Sequence, residues 1–111
     1  MAVTHVVLYR FKSGLKPEAI ELACQRVINL GQKCIHPVTK QSYIKSFRGG
    51  RNNSPEGFEK GYTHAFIAEF ETPEDRDYYV SKDPAHLHVT EETGWMVADF
   101  VVLDFTTEVL V

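Results

Sequence analysis

The sequence predicts one α+β domain of ferredoxin-like topology, a four-stranded antiparallel sheet carrying its helices on one face. Three observations predict it. Strand and helix patterns follow one another as strand, helix, strand, strand, two helices, strand, with no repeat, linker or low-complexity tract between them. The first strand is apolar on both faces, so it needs two covers. Two proline-led helix starts, Thr72-Pro73-Glu74-Asp75 and Asp83-Pro84-Ala85-His86, stand before the last strand.

Residues 2–11 are rich in β-branched and aromatic types, with His5, Val7, Tyr9 and Phe11 on one face and Thr4, Val6 and Leu8 on the other. Helices cover one face of such a strand, and in so short a chain a second subunit covers the other. Ser13-Gly14 ends the strand, and Pro17 suits the first turn of a helix that runs to about Gly31. Its stripe is Ile20, Ala23, Cys24, Val27, Leu30 and Gly31. Residues 42–47 form a short second strand, and the turn-rich residues 49–57 form a long hairpin loop. Strand three spans 62–71 and turns Tyr62, His64, Phe66, Ala68 and Phe70 to the core. Thr72 and Asp83 cap the next two helices, the second reaching about Met96, and residues 97–105 form the last strand. The apolar tail Val109-Leu110-Val111 asks for a partner.

A hydrophobic fraction of 43% in 111 residues allows one core and one domain, residues 1–111, with little room for a deep private cavity. Twelve basic against fifteen acidic residues, with no basic stripe, argue against nucleic acid. No apolar run approaches the ~18 residues of a membrane helix, and the start of the chain has no secretory pattern, so a cytoplasmic protein is expected. Cys24 and Cys34, ten residues apart in or beside one helix, read as packing residues. Asn52-Asn53-Ser54 reads as a polar turn.

The motifs of nucleotide, zinc-protease and serine-hydrolase chemistry are absent, which leaves five histidines. His5 and His64 sit on neighbouring strands in the helix-facing sets, where they either meet around a ligand or pack as core histidines. His86, at the third position of a helix, either fills the first turn as a polar residue near Asp83 or, in the positive field of the N-terminus, keeps the neutral ring that a general base needs. Tyr78 or Tyr79, one of which points inward, supplies a phenol beside it. His86 and His88 diverge by about 200° on a helix and share no metal. His36 reads as a solvated loop residue, and Arg48 and Arg51 beside Gly49-Gly50 as an anion site or, more commonly, a mobile basic loop.

The segments Val3-Thr4-His5-Val6-Val7-Leu8-Tyr9-Arg10-Phe11-Lys12, Gly61-Tyr62-Thr63-His64-Ala65-Phe66, Asp83-Pro84-Ala85-His86 and Val102-Leu103-Asp104-Phe105 together resemble the stress-responsive dimeric α/β-barrel (Dabb) family, which includes the plant olivetolic acid cyclase. The resemblance implies two sheets packed face to face as a homodimeric barrel, each subunit keeping a pocket between sheet and helices. It also implies an acid/base pair of His86 with Tyr78 or Tyr79, Tyr79 lying closer to the turn, and pocket contacts from His5 and His64. The spacer Val80-Ser81-Lys82-Asp83 is longer than the cyclase's, and the 49–61 loop is long as well.

Two functions are therefore expected from this sequence. One is a cofactor-independent, metal-free cyclase or isomerase acting on a polyketide-like or aromatic substrate. The other is a non-catalytic stress-response homodimer that binds small molecules or other proteins, paired through the sheet face and the C-terminal tail.

Overall fold

The computed structural model describes residues 1–111. In chain order the elements are β1 (Val3–Phe11), α1 (Pro17–Ile28), α2 (Leu30–Lys33), β2 (Ile44–Arg51), β3 (His64–Phe70), α3 (Pro73–Ser81), α4 (Pro84–Thr93), a 3-10 turn at Gly94–Met96 and β4 (Val97–Phe105). The sheet order is β2-β3-β1-β4 with every pair antiparallel, the ferredoxin-like arrangement.

Register decides what shares a face. His5 opposes Ala68 on β3 and Asp104 on β4, and Tyr9 opposes His64 and Phe100. Because side chains alternate along a strand, His5, Val7, Tyr9, Phe66, Ala68, Val102 and Asp104 look toward the helices. Val6, Leu8, Ile67, Val101, Leu103 and Phe105 look the other way, where no element covers them. Leu103 is 64% exposed and Phe105 48%. An apolar sheet face left so open marks a contact surface.

The helices close the opposite face over two groups of buried side chains. Leu30, Cys34, Ile44, Ala68, Phe70 and Tyr79 form one, and Phe11, Ala23 and Met96 the other. The caps form as the sequence suggests: Thr72 Oγ1 accepts from the Asp75 amide at 3.1 Å, and Asp83 Oδ1 from the Ala85 amide at 2.9 Å. The other Asp83 oxygen accepts from the Tyr43 hydroxyl, so this fully buried carboxylate is paired on both sides. Both cysteines are free. No helix is long and apolar enough to cross a membrane.

Several boundaries differ from the sequence reading. The first helix divides at Asn29, so Leu30 and Gly31 belong to α2, and α4 stops at Thr93 with the 3-10 turn beyond it. The third strand starts at His64, and Tyr62 before it is taken up by the incoming turn, its amide donating to the Glu59 carbonyl. The largest departure is β2, which begins at Ile44 and runs through Gly49, Gly50 and Arg51, residues whose composition suggests a loop. Packing explains the glycine there: a Cβ on Gly49 would sit 2.7 Å from the Ala65 carbonyl oxygen and collide with the Phe66 ring. Arg48 and Arg51 are accordingly strand residues on opposite faces.

Candidate functional site

Between the helix side of the sheet and α1 to α4 lies a cavity of about 300 Å³. Twelve of its sixteen lining residues are hydrophobic, so its few polar groups fix what it can hold. They are the rings of His5 and His86, the Thr90 hydroxyl, and the phenols of Tyr9 and Tyr79.

His86 stands in the first turn of α4, placed there by the Asp83 cap and Pro84 at the first helical position. Its Nδ1 lies 2.8 Å from the Tyr79 carbonyl oxygen. A carbonyl only accepts, so Nδ1 carries the hydrogen and donates, and Nε2 keeps its lone pair. The His86 pKa is lowered from the ordinary 6.5, first by burial and also by His5, against the Tyr79 carbonyl and Asp83, which raise it. The neutral ring expected from the helix field is present, but burial is its main cause.

Tyr79 is the inward tyrosine. It is 3% exposed, and its ring stacks on His86 with centroids 4.1 Å apart and planes at 25°. Its hydroxyl makes no hydrogen bond within the chain and is not sealed off in the core. Burial pushes its phenol far above the usual range, so it remains a proton donor. Tyr78 instead packs edge-on against Tyr43 at 5.8 Å and does not line the cavity. His5 meets Tyr79 edge-on at 5.8 Å and completes the group.

His5 and His64 do not meet. The register puts His64 opposite Tyr9, four residues from His5, which is about 13 Å along the strand. His64 packs edge-on against Phe11 at 5.0 Å, and its Nδ1 lies 2.9 Å from Thr63 Oγ1. It lines a separate hollow of about 610 Å³ beside Lys12, Arg51 and the start of α1. Burial and then the Arg51 charge lower its pKa. His36 is also more than a solvated loop residue, since its Nδ1 accepts from the amides of Val38 and Thr39 and so closes a turn. His88 is exposed and pairs with Glu92 at 2.6 Å, one helical turn on.

Asp104 is the residue that spacing alone missed. It holds His5 Nδ1 at 2.7 Å from its Oδ1. The one signal for it in the sequence is a lone carboxylate inside the apolar run Val101-Val102-Leu103-Asp104-Phe105.

Comparison with known proteins agrees with the fold. A family model described as the stress-responsive A/B barrel domain matches residues 3–107. An Arabidopsis thaliana stress-response A/B barrel domain-containing protein, HS1, is 38% identical over 85 residues, which is 77% of this chain and 71% of that one. A crystal structure of an A. thaliana protein, refined as an ensemble, superposes with TM-score 0.80 at 30% identity, covering 98% of both chains. Two likenesses below 25% identity show the shared fold alone. A hydroxynitrile lyase from Passiflora edulis has TM-score 0.83 at 24%, covering 99% of this chain and 97% of that one. A protein from Thermobifida fusca, described as dimeric and ferredoxin-like, has TM-score 0.75 at 20%, covering 96% and 91%.

Proposed function

Because the chain belongs to the stress-responsive A/B barrel family, we propose that it is a cytoplasmic homodimer that binds a small aromatic or polyketide-like molecule over His86 and Tyr79. The reaction class is proton abstraction next to a carbonyl, the step of a cofactor-independent cyclase or isomerase. His86 Nε2 takes the proton from the carbon. The electron pair moves onto the carbonyl oxygen, and the Tyr79 hydroxyl hydrogen-bonds the enolate so formed. In a cyclase the enolate carbon then attacks a second carbonyl of the same molecule, forming a carbon–carbon bond. The imidazolium returns its proton to the new alkoxide. His5 orients the substrate from the cavity wall. The uncovered sheet face and the apolar tail support a homodimer.

The observation that carries this reading is the His86 tautomer. The Tyr79 carbonyl obliges Nε2 to be the free acceptor, in an apolar cavity beside an unpaired phenol. Thermal unfolding with a panel of aromatic acids, phenols and short polyketide mimics tests it. A ligand stabilises the wild type and the His64→Ala variant but not His86→Ala, and its reactive counterpart is then assayed for turnover. Equal stabilisation of all three, or of none, overturns it.

The second reading is a binding protein without turnover. It is favoured by the HS1 relative, whose name specifies stress response and no reaction. Stabilisation by a ligand whose reactive counterpart is never converted identifies it.

A further inference from the structure

His5 belongs to a three-member chain that reaches from the cavity to the surface. Its Nδ1 faces Asp104 Oδ1 at 2.7 Å, and the second oxygen of Asp104 accepts from Arg76 Nη1 at 2.8 Å. Three elements meet there: His5 on β1, Asp104 directly opposite it on β4, and Arg76 on α3. The His5 side chain is 7% exposed, that of Asp104 20% and that of Arg76 25%, so the chain is largely sheltered from water. Arg76 also holds Asp77 through Nε, which fixes the plane of its guanidinium.

We infer that Arg76 and Asp104 are positioning residues that fix the neutral His5 ring in its Nδ1–H tautomer, giving the cavity a second imidazole lone pair beside that of His86. The argument is one of donors and acceptors. A carboxylate only accepts, so Nδ1 donates to Asp104, and in the neutral ring Nε2 is then the bare nitrogen. His5 Nε2 has no partner in the chain, and its ring lines the cavity. Arg76 takes the other oxygen of Asp104, which leaves Oδ1 to the imidazole. The His86 ring obtains the same tautomer from a backbone carbonyl. Two unrelated acceptors, one on a strand and one on a helix, thus orient two histidines the same way toward one space. That space accepts hydrogen bonds at two points, which suits a ligand offering two donors.

The ligand half of this inference rests on the cavity being the binding site, and the tautomer half does not. Long-range proton–nitrogen correlation spectra of the imidazole rings at neutral pH read the tautomer with no ligand present. In the wild type, His5 shows a protonated Nδ1 and a bare Nε2. In Asp104→Asn the carboxamide gives its oxygen to Arg76, which only donates, and turns its amide hydrogens toward His5, so the pattern inverts to Nε2–H. A bare Nδ1 in the wild type, or an unchanged pattern in Asp104→Asn, overturns the inference, and the wild-type spectrum decides it even where the variant fails to fold. Titration with phenol as the probe then separates the two halves. Affinity falls about tenfold in Asp104→Asn if the Nε2 lone pair accepts from the ligand. Phenol that never binds, together with the Nδ1–H pattern, overturns the ligand half and the binding-site reading while the positioning role stands.

Discussion

The rings of Tyr79 and His86 lie stacked, centroids 4.1 Å apart, while the backbone carbonyl of that same tyrosine accepts the histidine's Nδ1–H at 2.8 Å. One residue therefore fixes both the plane and the tautomer of the other. The Tyr79 ring is bound into the core, whereas its hydroxyl is not hydrogen-bonded.

This division predicts that the two halves of Tyr79 separate by mutation. Tyr79→Phe keeps the ring and leaves unfolding in denaturant within about 0.5 kcal/mol of wild type. Tyr79→Ala leaves a hole under α3 and costs about 3–5 kcal/mol. An equal loss in both variants would mean that the hydroxyl is structural.

The pH dependence of stability follows from His86 and His64, both lowered from 6.5 chiefly by burial. The unfolded chain takes up protons near the ordinary value, while the folded rings refuse them until a lower pH. Their contribution is complete above pH 6.5 and is lost as pH falls from there through the folded values, where the slope ends. Urea unfolding of wild type measured between pH 7.5 and pH 4.5 is expected to show this fall, with a shallower slope in His86→Gln.

Asp83 joins the start of α4 to Tyr43, which precedes β2. Asp83→Ala removes a helix cap and leaves the Tyr43 hydroxyl unpaired, a loss of about 2–4 kcal/mol. Tyr43→Phe removes one bond and keeps the cap, so its loss is smaller, and denaturant titration ranks the two.

The open sheet face predicts assembly. Light scattering at micromolar concentration gives twice the 12.7 kDa chain mass, and Leu103→Asp returns it to a single mass. A wild-type monomer there sinks the homodimer proposal.

The fold was legible because strand alternation and two capped prolines fix elements and faces without tertiary information. The site was legible only in part. Alternation puts His5 and His64 on one face, but sliding a strand by two residues keeps every face unchanged, so only the actual pairing reveals their separation. Asp104 was silent for the same reason, since its meaning depends on standing opposite His5. Gly49 misled because turn preference is a local property, whereas contact with Phe66 is not.

The Tyr79 carbonyl is one of the last in α3, a position where helices leave acceptors without partners, and His86 supplies the missing donor. The side chain proposed to move a proton is thus also a helix terminator. Natural selection would hold a histidine at this position even in a descendant that had abandoned all chemistry, because losing it frays α3. The Tyr79 hydroxyl has no such second duty and is free to drift to phenylalanine once turnover stops mattering. On the proposed mechanism, the retained phenol rather than the retained imidazole would mark a working enzyme among descendants of this chain.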